Sequence, residues 1–149
     1  MQQAREKYAV SMKKYAMHSV AILYVFILAH PCAAGAFQSD SKRFGNPNMD
    51  IIITEVDRRP RTSVVDMKIN SVGSSVGSSF FIVCSLRDLA GQRGGFRHIV
   101  KIEDQPRRGQ MLVGFLNSVD EAPERLDPLF AGAKAIDLEQ FALICDNTK

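Results

Sequence analysis

Apolar positions along the 149-residue chain are organised in three ways. Residues 20–29 form one unbroken apolar run, with Lys13 and Lys14 before it and His30-Pro31 after it. Between Ile51 and Leu116 the apolar residues fall into short runs separated by Gly, Pro, Asp and Arg. Past Pro123 and Pro128 the pattern breaks, then returns at helical spacing as Leu138, Phe141, Ala142 and Cys145.

The middle region predicts strands at 51–56 and 62–69, joined through Asp57-Arg58-Arg59-Pro60-Arg61 as a hairpin. A tandem Val-Gly-Ser-Ser at 72–79 leads into an apolar helix from Phe80 to about Gln92. Ser78 or Ser79 is its expected N-cap, and Gly94-Gly95 its stop. Phe96, His98, Val100 and Ile102 alternate with Arg97, Ile99, Lys101 and Glu103, as in a half-buried strand, and Met111 to Leu116 returns as a fourth. The expected fold is α+β: a ββαββ mixed sheet packed by one main helix, plus a short C-terminal helix. A helix joining the second and third strands makes those two run parallel, which puts the arginine-rich tips (Arg58, Arg59, Arg61 and Arg107, Arg108) at opposite ends of the sheet.

The first apolar run belongs to an export signal rather than to the fold. Ten residues make about 15 Å of helix, half of a ~30 Å hydrocarbon core, so the run is short for a stable span. A basic stretch precedes it, a helix breaker follows it, and Ala34-Gly35-Ala36 supplies the small residues that a signal peptidase reads. Residues 1–36 are therefore expected as a signal peptide cut after Ala36, with Met1 or Met12 as the start. Residues 37–48 are expected as a loose, flexible N-terminal arm, and 49–149 as a single domain.

Cutting there changes the composition. The chain carries a net charge of +3, but from Phe37 onward about 15 Lys plus Arg face about 15 Asp plus Glu. Such a balance gives no long-range field to steer the protein to nucleic acid. Cys32 leaves with the leader, and Ala29 and Pro31 do not make a lipobox around it. Cys84 and Cys145 remain, and an even pair in an oxidising compartment is most simply one disulfide.

Candidate chemistry is sparse. Gly73, Ser74, Ser75, Gly77, Ser78 and Ser79 precede a helix N-terminus, where backbone N–H groups favour anions, so this stretch is the candidate ligand site. It lacks the lysine of a phosphate-binding P-loop and the Gly-x-Ser-x-Gly elbow of a serine hydrolase. His98 is the one histidine after Ala36, on the apolar register of its strand. Asp120, Glu121, Glu124 and Asp127 are an acidic cluster in which Ser118 and Glu121 fit a capping box. No catalytic set, metal site or cofactor is expected.

One resemblance rests on residues 79–100, where an apolar helix (Phe80, Phe81, Ile82, Val83, Cys84) ends through Ala90 and Gly94 into a strand opened by Phe96. The run resembles small bacterial envelope proteins of unknown function, many of them lipoproteins, in which a helix ending Ala-x-x-x-Gly-Phe enters a strand of the Phe-x-x-Val type. Gly95 is an extra glycine against that pattern, and the lipobox is missing. The resemblance implies an α+β domain in the cell envelope and no particular activity.

These readings converge on an exported protein, periplasmic or secreted, that touches the membrane only during export. It is expected to be non-enzymatic and to act by binding a protein or envelope component. The alternatives are an inhibitor or immunity protein against a secreted toxin, and a small periplasmic hydrolase using His98.

Overall fold

A computed structural model describes residues 36–147. The expected leader, with Cys32 and both candidate starts, lies outside the described residues, apart from Ala36.

Six strands form one sheet: β1 (Gln38–Asp40), β2 (Asp50–Arg58), β3 (Thr62–Ser71), β4 (His98–Glu103), β5 (Gln110–Leu116) and β6 (Ile136–Asp137). Their spatial order is β1-β2-β3-β5-β4-β6, and every neighbouring pair is antiparallel. The architecture is thus α+β, but the sheet has six strands rather than four and is not mixed. β3 and β4 do run in one direction, since both are antiparallel to β5, but β5 lies between them. The β2–β3 tip sits beside Gly114 and the β4–β5 turn at Gln110, so the two arginine-rich tips lie at opposite ends of the sheet.

β5 explains much of the core. All seven of its residues are buried, as its continuous apolar run Met-Leu-Val-Gly-Phe-Leu permits for a central strand covered on both faces. Met111, Val113 and Phe115 point to one layer, with Ile51, Ile53, Val65 and Ile99 from the neighbouring strands. Leu112 and Leu116 point to the other, with Val64, Val100 and Phe130. The first layer is covered by α1 (Ser75–Gln92) through Phe81, Leu86, Leu89 and Ala90. The second is covered by the irregular segment 117–135, which brings in Phe130, Leu126, Ala133 and Ala135. Gly114 has to be glycine: a Cβ there would stand 2.8 Å from Phe130 Cε2 and 2.8 Å from Val100 Cγ1.

Helix α1 begins earlier than its apolar run. Ser74 is the N-cap, its side chain accepting from the Gly77 N–H at 3.1 Å, so Ser75 to Ser79 form the first turn of the helix rather than part of a connector. The C-terminal stop falls at the expected glycines: Gly95, at φ +76, donates to the Ala90 carbonyl at 3.0 Å.

Within residues 37–48, expected as a loose arm, Gln38–Asp40 is instead a strand of the sheet. Phe37 is only 4% exposed and joins the core under α1. β1 pairs with β2, and a 3-10 turn, Ser41–Phe44, buries Ser41, whose Oγ donates to the Met49 carbonyl and accepts from the Ile51 N–H. The polar composition concealed this, because two aromatics, Phe37 and Phe44, anchor a segment that is otherwise polar.

The C-terminal tail is a 3-10 turn, Leu138–Phe141, followed by α2 (Ala142–Asn147). Cys145 is bonded to Cys84 of α1, with Cα atoms 5.3 Å apart and a sequence separation of 61. The bridge holds α2 against α1, and Leu138 enters the core beneath the same helix.

Candidate functional site

A groove of about 860 Å³ runs along the C-terminal half of α1. One wall is the edge strand β1 with Phe37 before it and Arg43 and Phe44 after it. The floor is Arg87, Asp88, Gly91 and Gln92 of α1, and the far wall is 95–97 with Leu138 and Glu139. Each part is held by a separate device. Ser85 of α1 donates to Ser39 of β1 at 2.8 Å, fixing floor to wall. Phe44 packs edge-on against Phe81, ring centres 5.2 Å apart, and Phe96 packs against Phe115 at 5.4 Å. The far wall is tied by Arg97, which donates to both carboxylate oxygens of Asp137 at 2.9 and 2.7 Å. That pairing, helped by the Glu139 N–H, holds the Asp137 carboxyl down at about 2.

Charge in the groove is of both signs and unequally committed. Arg87 is paired with Asp146 at 2.7 Å, and the Asp40 carboxylate accepts from the Lys42 N–H. The side chains of Arg43, Gln92 and Glu139 make no hydrogen bond or ion pair among the described residues. Apolar ring edges alternating with unpaired polar groups are what a binding cleft presents.

The end of the floor is set by a buried ion cluster. The Glu55 side chain is 2% exposed and that of Arg93, just past α1, is 5% exposed. Arg93 donates to Glu55 at 3.2 Å and to the carbonyls of Arg59 and Pro60, and stands 5.2 Å over the Phe115 ring. Arg58 and Ser63 also donate to Glu55, the latter at 2.6 Å. Burial pushes the Glu55 carboxyl up, but the hydrogen bonds from Arg58 and Ser63 and the charges of Arg58 and Arg93 outweigh it and leave it lowered. Every group in the cluster is satisfied, so it acts as a clamp joining the helix end to the β2–β3 tip. The sequence carried a signal for Glu55, which follows Ile51 and Ile53 on the inward register. Arg93 carried none.

The candidates read from sequence are placed elsewhere. Ser74 caps the helix, and the hydroxyls of Ser78 and Ser79 both donate to the Ser75 carbonyl, at 3.0 and 2.8 Å. Gly73 turns the chain at φ +67, and Ser75 is exposed in the first helical turn. Gly77 borders a separate apolar pocket of about 170 Å³ beside Phe80, Phe81 and Cys84. None of these six residues lines the large groove. Cys84 and Cys145 are joined, as the even pair implied.

His98 lies in register with Val100 and Ile102, on the sheet face turned away from α1, whereas Phe96 belongs to the α1 layer. Its Nδ1 is buried without a partner. Asp137, opposite it on β6, has both oxygens engaged by Arg97. The acidic cluster is also dispersed. Glu121 does not cap a helix; it accepts from Arg61 through both oxygens, at 2.7 Å each, and from the Asn117 N–H, which holds its carboxyl down at about 2. Asp127 caps the Leu129 N–H. Among the described residues, no three His, Cys, Asp or Glu side chains come together as a metal-holding group.

No protein-family model, curated protein or solved structure matches the chain.

Proposed function

We propose that the chain is an exported cell-envelope protein, periplasmic or secreted, that acts without catalysis by binding a protein partner in the groove over the C-terminal half of α1. The observation that carries this reading is the convergence on one groove of Arg43, Gln92 and Glu139, whose side chains make no hydrogen bond among the described residues, with apolar surface from Phe44 and Phe96; Glu139 does feel the charges of Arg87 and Arg97. The desolvation of such groups is offset only when a partner pairs them.

Two further observations support export. The Cys84–Cys145 disulfide is consistent with folding in an oxidising compartment. Phe37, the first residue after the expected cut, is a core residue, so a chain cut there keeps the packing beneath α1.

Affinity capture of the tagged protein from its own envelope, beside an Arg43→Glu/Glu139→Lys variant, tests the reading. One stoichiometric protein recovered with wild type and lost with the variant supports it. An identical set recovered with both refutes the groove as the binding surface. The mass of the exported chain tests processing: the reading requires an N-terminus at Phe37.

A further inference from the structure

We infer that the partner enters as an extended polypeptide strand that adds to the edge of β1 left unpaired among the described residues, continuing the sheet across the groove. The inference rests on the groove-binding reading and names the chemistry of its occupant. β1 is one edge of the sheet. The Phe37 carbonyl accepts from the Glu55 N–H at 2.9 Å, so Phe37 and, by alternation, Ser39 direct their backbone groups toward β2. Gln38 and Asp40 therefore direct theirs to the open side, which borders the groove.

Natural edges are blunted with lysine, proline or bulges. β1 is short and carries the charge of Asp40, but its three residues, Gln38, Ser39 and Asp40, include no lysine or proline and pair with β2 without a bulge. The opposite edge, β6, is two residues long and runs straight into a 3-10 turn, so it offers no comparable template. A strand beside β1 would advance about 3.3 Å per residue and send alternate side chains to the floor. Phe44, packed on Phe81, offers an apolar contact toward the N-terminal half of α1. Phe96, packed on Phe115, offers another past its C-terminus. Arg43 on the near wall and Glu139 on the far wall fit an acidic and a basic side chain, so the favoured segment is zwitterionic with apolar residues between its charges.

The test uses the exported protein panned against a displayed library of random decapeptides, with affinities then measured for the selected sequences. Gln38→Pro removes an N–H that faces the open side while keeping the β1–β2 ladder, and proline is tolerated at such edges. Selected peptides should bind, perturb the amide resonances of 38–40, and lose at least about tenfold in affinity with Gln38→Pro or when N-methylated at alternate residues. Should Gln38→Pro fail to fold, the N-methylated peptides alone decide. Peptides that depend on Arg43 and Glu139 but ignore both backbone changes would overturn strand addition and leave the groove reading standing. No peptide binder, with peptidoglycan chains shifting the groove resonances instead, would overturn both.

Discussion

Glu55 and Arg93 meet 3.2 Å apart inside the fold, with almost nothing of either side chain left to solvent. One comes from the sheet and the other from the residue that follows α1, so the pair ties the end of the helix to β2. Gln92, the last helical residue, forms part of the groove floor, and its position depends on that bond.

Breaking this pair from one side should be severe. Arg93→Ala leaves the Glu55 charge buried with only Arg58 and Ser63, and is expected to cost about 3–5 kcal/mol in urea unfolding. The double change Arg93→Ala/Glu55→Leu should cost less than the sum of the single ones, because no charge then remains uncompensated. Strict additivity would show that the pair is not coupled.

Reduction of the Cys84–Cys145 bridge releases a loop closed across a sequence separation of 61 and should lower stability by about 2–5 kcal/mol. The loss should be local first. Hydrogen exchange is expected to rise in α2 and around Leu138 before it rises in β5, which is central and wholly buried.

Gly114→Ala should destabilise by about 1–3 kcal/mol, since its methyl would meet Phe130 and Val100 well inside contact distance. Trimming Phe130 to Leu in the same chain should recover part of the loss in thermal melting. A neutral Gly114→Ala would mean that the second layer is looser than the geometry implies.

The Arg61–Glu121 pair sets a pH dependence with a definite sign. The Glu121 carboxyl is lowered to about 2 in the folded protein from an ordinary 4.5. Its stabilisation is complete above the ordinary value and disappears as the pH falls through the folded one. Wild type should therefore exceed Glu121→Gln in stability at pH 6, with the gap closing between about pH 4.5 and pH 2 in urea unfolding at each pH.

Much of the scaffold was legible in the chain. The apolar run at 111–116 marked a strand, Gly94-Gly95 marked the end of α1, and Cys84 and Cys145 marked the bridge. What escaped was structure held by single residues or by partners distant in sequence. β1 is held by Phe37 and the Ser85–Ser39 hydrogen bond in a polar stretch, and the early start of α1 depends on Ser74, inside the first of the two Val-Gly-Ser-Ser repeats, acting as cap. The groove was invisible for the same reason. Its walls come from 37–44, 87–97 and 138–139, which no local pattern connects, and its unpaired side chains look like ordinary surface residues until the fold brings them together.

The central claim, that a partner protein occupies this groove, is tested most directly by photo-cross-linking in intact cells from two positions. A photoreactive phenylalanine replaces Gln92, on the groove floor, or Lys134, exposed in the segment covering the opposite face of the sheet. The account predicts a single discrete protein adduct from position 92 and none from position 134. No adduct at 92, or the same adducts from both positions, would contradict it.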